Sequence, residues 1–290
     1  MRLCQLRHLD TLLAIVDHGS FDAAAHALGI SPSAVSQRVK TLESEAGRIL
    51  IRRATPPAAT PAGEVLVQMA RRMQLLERET ATQLEEASAV ALSVAVNADS
   101  LGTWFQEIFP AVGTRVDLHI RVEDEGHSLQ LLRRGDCMAA VTTESAAVPG
   151  CQSEYLGLHR YVPVASPHLA RQLKAGVYQW ETLPAARFGS KDHMEQTFLE
   201  QQFGAFTPSP DRRETHIPAY ESLTLAMVAG MGWGMVPQSS AAPLIEAGRL
   251  VQLKDAQLDV QLYWQRWKVD SRQLDSLSDH IHAAAAVGLH

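Results

Sequence analysis

The sequence predicts a small helical head with a β-wing, one long helix, and an α/β body of two lobes. Three observations predict this. Residues 20–48 divide into two short helices at a glycine, a helix beginning near Pro61 spaces its apolar residues alternately by three and four, and from Val90 onward apolar strands alternate with helices. The chain has 290 residues, 46% of them apolar, which is enough for about two packed domains.

In the head, Ser20 is a good N-cap, and Phe21 to Leu28 runs through alanines until Gly29 supplies the left-handed residue at which a helix stops. Ser31 then caps a second helix with Pro32 at its first position, where a missing N–H costs nothing. Val35, Val39, Leu42 and Ala46 fall on one side of that helix; Ser33, Ser36, Gln37 and Lys40 fall on the other. Hydroxyls, an amide and a cation are the groups that bond base edges and phosphates when a helix lies in a major groove. Upstream, Leu9, Leu12, Leu13 and Val16 place an amphipathic helix that completes a three-helix core. Downstream, Ile49 to Arg53, Pro56-Pro57 and Thr60 suit a short wing that carries Arg52 and Arg53 towards a phosphate backbone. Residues 1–60 are therefore expected to form a winged helix-turn-helix. Its candidate DNA contacts are Ser31, Ser33, Ser36, Gln37, Arg38, Lys40, Arg52 and Arg53, with Arg38 nearer the buried edge and suited to a phosphate or to packing.

Thr60 as cap, Pro61 at the first position and Glu64 in the first turn start the long helix, expected over residues 61–88. Leu66, Met69, Met73 and Leu76 open its apolar stripe. Such a stripe either lies on its own domain or joins two chains; the second is preferred, because two heads on one axis read two half-sites.

The body is expected over residues 89–290. Val90–Val96, Val116–Val122 and Met138–Thr142 read as strands, with helices at Leu101–Phe109 and Ser128–Arg134 between them, a succession that implies a parallel sheet. Ligands in such sheets bind beyond the carboxyl ends of the strands. Those ends carry Asn97, Asp99 and Ser100, then Glu123, Asp124 and Glu125, then Thr142, Thr143 and Glu144. A second set begins at Tyr161–Ala165 and includes a helix at Ala219–Ala229, while Val260–Lys268 returns to the first sheet and 271–287 closes as a helix. Lobe one is thus assigned to 89–163 and 264–290 and lobe two to 164–263, with a cleft between them, the layout of a small-molecule sensor.

Charge divides the same way. Residues 1–60 hold seven Lys/Arg against five Asp/Glu, and residues 97–290 hold 16 against 22. A basic head on an acidic body fits nucleic acid approaching the head alone. Cys4, Cys137 and Cys151 show no C-x-x-C spacing and are expected as free thiols. With no signal-peptide profile and no run of 18 apolar residues, a soluble cytoplasmic protein is expected. No G-x-S-x-G, H-E-x-x-H or phosphate-binding glycine loop is present, and His280 and His282 do not share a helix face, so neither an enzyme nor a metal protein is expected.

SFDAAAHALGISPSAVSQRVKTLE followed by TPAG resembles the LysR-type transcriptional regulators. RRATPPAAT, VNADSLGTWF, VEDEGHSLQLLRRGD, AVTTE, RFGSKD, GMGWGMVP and YWQRW, in that order, make the whole chain similar to the ArgP/LysG branch of the family. The resemblance implies a linker-helix dimer, a periplasmic-binding-protein-like effector domain and assembly as a homodimer or homotetramer. It also implies control of genes such as an amino-acid exporter in response to lysine, arginine or another basic amino acid. Two positions depart from the family: Pro32 stands where many relatives have a base-reaching Gln, and Ile51 replaces a wing phenylalanine. The partners expected are promoter DNA, RNA polymerase, a basic amino acid and further copies of the chain, with no membrane and no cofactor. The alternative is an architectural or replication-related DNA binder without an effector.

A basic amino acid presents a carboxylate and two cationic groups. Ser100 and neighbouring N–H groups are candidates for the carboxylate. Asp99, Glu123, Asp124 and Glu125 are candidates for the cations, one or two of the adjacent three acids facing inward. Thr142, Thr143 and Ser222 would complete the rim, with Asp192 and Trp233 as weaker candidates, Trp233 being more often core than site.

Overall fold

The computed structural model describes residues 6–85, 91–113, 116–123 and 125–290. The head comprises α1 (Leu6–His18), α2 (Phe21–Leu28), α3 (Pro32–Ala46) and a wing of β1 (Ile51–Arg52) paired antiparallel with β2 (Ala58–Ala59). Local signals place its boundaries. The Ser20 hydroxyl accepts from the Ala23 N–H and that of Ser31 from Ala34, while Gly29 and Gly47 end their helices in the left-handed conformation at φ 63° and 65°. Leu9, Leu12, Val35, Val39, Leu42 and Leu50 are almost wholly buried where the three helices meet.

The long helix α4 (Pro61–Glu85) is locked to the wing at its first turn. Thr60 Oγ1 donates to the Ile49 carbonyl at 2.7 Å and accepts from the Gly63 N–H at 3.1 Å, and the Thr60 N–H donates to the Leu50 carbonyl at 2.9 Å. Gly63 is required by this approach: a Cβ there would lie 2.0 Å from the Leu50 oxygen. One face of α4 serves its own head. Leu66 is buried in the head core and Met69 and Met73 pack against it, whereas Val65 and Leu76 stay 65% and 40% exposed. The helix also rests on the body. Arg71 pairs with Asp17 of α1 at 2.6 Å and with Asp136 of the body at 3.0 Å, and Arg72 lies over the Trp267 ring at 5.5 Å.

The body continues with β3 (Ala91–Val96), α5 (Ala98–Leu101), a 3-10 turn (Trp104–Ile108), α6 (Phe109–Val112), β4 (Asp117–Val122), α7 (Glu125–Arg134), β5 (Ala139–Thr142) and β6 (Cys151–Ala165). Then follow α8 (Pro167–Lys174), β7 (Ala185–Arg187), α9 (Met194–Phe203), β8 (Glu214–His216), α10 (Tyr220–Val228), β9 (Gly234–Pro237), α11 (Gln238–Glu246), β10 (Val251–Gln252), β11 (Leu258–Trp267) and α12 (Arg272–Gly288). As expected for alternating strands and helices, β3 pairs parallel with β4 and β5. The long strands β6 and β11 pair antiparallel with one another, β11 continuing to β5 and β6 to β9 and β10. Among the described residues these two strands contribute to three cores of the body. Trp264 and Trp267 join Leu92, Val94, Phe105 and Ile281 in one, Tyr161 and Leu258 join Leu169, Phe198 and Trp233 in a second, and Val162 and Val164 join Leu223, Met227 and Val236 in the third. Between the cores β11 has a register shift at Leu262/Tyr263, and β6 has Gly157 at φ 146°, where a Cβ would meet Leu289 at 2.8 Å.

The continuous helix expected over Leu101–Phe109 is not formed. Thr103 leaves the helical region at φ −124°, ψ −105°, and its hydroxyl turns back to the Asp99 carbonyl, so the segment divides into α5, the 3-10 turn and α6. Trp104, Phe105 and Ile108 are buried by this break, which exchanges helical regularity for packing. Trp233 is fully buried against Trp180 and Phe198 and is core.

Candidate effector cleft and DNA-reading face

The candidate cleft lies at the carboxyl end of β3. The Asn97 side chain caps α5 by accepting from the Ser100 N–H at 3.2 Å, which turns the chain sharply and presents Asp99 and Ser100. Ser100 is fully buried and its hydroxyl has no protein hydrogen-bond partner. Asp99 accepts from the Tyr161 hydroxyl at 2.9 Å. Burial pushes the Asp99 carboxyl up to about 6; the Tyr161 hydrogen bond pulls it down, and the charge of Asp192 pushes it further up. The Asp192 charge thus adds to the cost of ionising Asp99, a cost that a cation beside Asp99 would offset.

The second lobe supplies the opposite wall. The Tyr220 ring lies so close to Gly102 that a Cβ there would sit 2.5 Å from it, and its hydroxyl donates to Ser240 Oγ at 2.5 Å. Burial, with the Asp99 charge adding to it, pushes the Tyr220 phenol up to about 12. Asp192 is held by the N–H groups of Phe188 and Met194 at 3.2 and 3.0 Å, and Arg187 donates to its carbonyl. Arg187 in turn lies beside Glu195 and Glu214, which also hold Arg212 at 3.5 and 2.6 Å. The Arg212 and Glu195 side chains are 4% and 3% exposed. Burial pushes the Glu195 carboxyl up to about 8 against the pull of both guanidinium groups, and Arg187 stays beside it, so Arg212→Ala is expected to lower unfolding stability by about 1–3 kcal/mol in urea denaturation.

The other expected cleft residues are placed less directly. Glu123 is half-buried and its N–H donates to the Val96 carbonyl, which sets it at the end of β4 beside β3. Asp124 and the Glu125 side chain lie outside the described residues. Thr142 is 1% exposed and its hydroxyl accepts from the Glu144 N–H, so it serves the turn after β5, while Thr143 is half-buried and Ser222 is exposed on α10. Sequence reasoning missed Thr103, His159, Tyr161, Tyr220 and Arg187. The one signal for them was the pair His159 and Tyr161, two apart and so on one face of a strand whose following residues, Val162 to Ala165, are apolar. A groove of about 570 Å³ lined by residues including Arg171, Lys174, Trp180, Phe203 and Lys254 shares no residue with the cleft. Among the described residues no cluster of His, Cys, Asp and Glu has the arrangement of a metal site, and no helix is long and apolar enough to cross a membrane. His282 pairs with Glu154 at 2.6 Å, and Cys137 and Cys151 are free and buried.

On the head, Ser33, Gln37 and Lys40 are exposed along α3 and Ser36 is half-buried. Ser31 and Ser33 share a hydrogen bond at 2.9 Å at the start of that helix. Arg38 donates to the buried Thr11 hydroxyl at 3.4 Å, tying α3 to α1. Arg52 and Arg53 are exposed on the wing, with Arg53 5.9 Å from the Phe21 ring centre.

A helix-turn-helix head joined to an α/β body with a candidate acidic cleft defines a class, the ligand-responsive DNA-binding regulators. Residues 6–64 match the bacterial regulatory helix-turn-helix proteins of the LysR family, and residues 60–286 match the LysR substrate-binding domain. The chain belongs to the LysR family. It is 48% identical over 286 residues, covering 97% of this chain and 98% of the relative, to the lysine export transcriptional regulatory protein LysG of Corynebacterium efficiens. Full-length LysG of Corynebacterium glutamicum with bound effector arginine superposes with a TM-score of 0.86 at 44% identity, over 99% of this chain and 100% of that one. ArgP of Mycobacterium tuberculosis superposes with a TM-score of 0.90 at 39% identity, over 98% of each chain.

Proposed function

We propose that this chain regulates transcription by gripping promoter DNA with α3 and the wing while the cleft between its lobes detects lysine, arginine or another basic amino acid. The observation that carries the reading is Asp99, a carboxylate lifted towards neutrality by burial and by Asp192, beside the unpartnered Ser100 hydroxyl. A basic amino acid completes both. Its cationic group neutralises the paired carboxylates, and its carboxylate takes the Ser100 hydroxyl, each charge-assisted hydrogen bond contributing about 1.5–3 kcal/mol. Glu123 and Glu125 stand in this reading as further contacts for a cationic group, with Asp124, Thr143 and Ser222 at the rim. The bound relative LysG, whose effector is arginine, and the lysine export regulators supply the ligand class and the class of gene, an amino-acid exporter.

Two heads would be joined through α4, where Val65 and Leu76 remain exposed after Leu66, Met69 and Met73 have packed inward. A homodimer, or a homotetramer made of two such dimers, then reads two half-sites in the cytoplasm and presents RNA polymerase with a promoter whose geometry depends on the effector. No step of this function is catalytic. Ligand closure acts only through different affinity for two arrangements of the body, because equal affinity shifts nothing. DNase footprints of the full chain on its own promoter, with and without saturating arginine or lysine, test the switch. Altered protection is expected; identical footprints with unchanged transcription would contradict it. On the same DNA, Gln37→Ala is expected to relax sequence choice. Arg52→Ala should weaken all sequences alike and reduce the salt slope by about one, as measured by binding across a salt series.

A further inference from the structure

Beside Asp99, β6 carries two buried polar side chains, His159 at 3% exposure and Tyr161 at 1%. They lie two residues apart on one face of the strand, with ring centres 4.8 Å apart. The Tyr161 hydroxyl is 2.9 Å from Asp99 Oδ2 and 3.1 Å from His159 Nδ1, and His159 Nε2 is 3.4 Å from Thr103 Oγ1. Thr103 Oγ1 donates to the Asp99 carbonyl at 2.6 Å, which closes the chain of groups on the residue where it began. Other titratable groups facing it are Asp192 and Tyr220 from the second lobe, which face Asp99, and His290, which faces His159.

The protons of this chain can be counted. Burial holds the imidazole of His159 down at about 4, so it is neutral near neutral pH and carries one N–H. When Asp99 is ionised it accepts a hydrogen bond from the Tyr161 hydroxyl, and the phenol oxygen in turn accepts one from an N–H on Nδ1. When Asp99 is protonated it donates to the phenol oxygen, the phenol donates to a bare Nδ1, and the imidazole proton sits on Nε2 towards Thr103. Going from the second state to the first, the Asp99 proton passes to the Tyr161 oxygen, the phenolic proton passes to Nδ1, and the Nε2 proton leaves to solvent. No bond between heavy atoms changes and one proton is released.

We propose that His159 and Tyr161 are positioning residues that set the charge of Asp99, so that capture of a cationic amino acid is coupled to release of one proton along this chain. The inference rests on the cleft reading above and deepens it. Both side chains act through Asp99, to which the Tyr161 hydroxyl bonds directly. They act by offering the ionised carboxylate a donor whose own oxygen is supported from behind.

The test is calorimetry of arginine binding to the full-length protein from pH 5 to 8, in buffers of different ionisation enthalpy, because arginine does not titrate in that range. Affinity is expected to be full at pH 8 and to fall as pH drops through about 6, with nearly one proton released per arginine at the acidic end and almost none at pH 8. Tyr161→Phe and His159→Leu remove the donors and should move the midpoint up by about one pH unit. His159→Asn, which keeps an N–H in the place of Nδ1–H, should restore it. Equal weakening at every pH, with midpoint and proton count unchanged, would reduce both residues to packing. If the variants do not fold, the wild type alone decides, since binding at pH 5.5 without proton release overturns the coupling. Failure to bind arginine or lysine even at pH 8 would instead overturn the cleft reading itself.

Discussion

Asp99→Asn is expected to weaken arginine and lysine binding by about 10- to 100-fold, the loss of one charge-assisted contact to a cation. The same substitution should raise thermal stability without ligand. The folded-state pKa of Asp99, about 6, lies above the ordinary carboxylate value of 3.8. Its favourable contribution to stability is therefore fully present below about pH 4 and is lost as pH rises through about 6. At neutral pH the folded protein carries an ionised, half-buried carboxylate next to Asp192, whereas Asn still accepts the Tyr161 hydrogen bond without a charge. A gain of about 1–2 kcal/mol, or roughly 2–6 °C in melting temperature at pH 7.5, follows. Calorimetric affinity and melting temperature should thus move in opposite directions, which a merely disrupted variant cannot reproduce.

Gly63→Ala is expected to abolish specific DNA binding while leaving the cleft intact. The added methyl would stand 2.0 Å from the Leu50 carbonyl and 3.3 Å from Ala59 Cβ, against backbone on one side and the wing on the other. Either α4 withdraws, breaking the Thr60 hydrogen bonds to the Ile49 and Leu50 carbonyls, or the wing shifts away from α3. Overpacking of this kind costs about 1–3 kcal/mol or more, a large share of what a small head possesses. Gel-shift affinity should fall at least tenfold while arginine affinity changes less than twofold. Equal loss of both would mean that the head and body do not fold as separable units.

Legibility in the sequence follows the range of the interactions. The head could be read almost residue by residue because Ser20, Gly29, Ser31 and Pro32 act on their immediate neighbours, and the structure places caps and turns at those positions. The parallel first sheet was legible from apolar runs and their spacing. The break at Thr103 was not, because Trp104, Phe105 and Ile108 have helical spacing and only their burial against the body favours a tighter turn. In the candidate cleft, the strand end alone pointed to Asp99 and Ser100. Tyr161 escaped because it reaches Asp99 across 62 residues of sequence, through a crossing strand whose face is set by pairing with β9 and β11. The stripe on α4 was legible as apolar but not in its destination: Leu66 turns inward and Leu76 outward, and no spacing distinguishes them.

The contacts of α4 give the body a physical route to the head. Arg71 holds Asp17 of α1 and Asp136 beyond α7 with one guanidinium, and Leu75 enters the core of the first lobe. Any rearrangement of that lobe on ligand closure therefore bears on the helix that positions the wing. Such coupling transmits only the difference in ligand affinity between two states, so everything depends on the cleft selecting a cation.

Norleucine tests that selection most directly, since it has the shape of lysine without the terminal ammonium. Calorimetry of the full chain with lysine, arginine and norleucine at pH 7.5 should show saturable binding of lysine or arginine and at least tenfold weaker binding of norleucine. Norleucine binding as tightly as lysine, or no heat from either basic amino acid, would contradict the account.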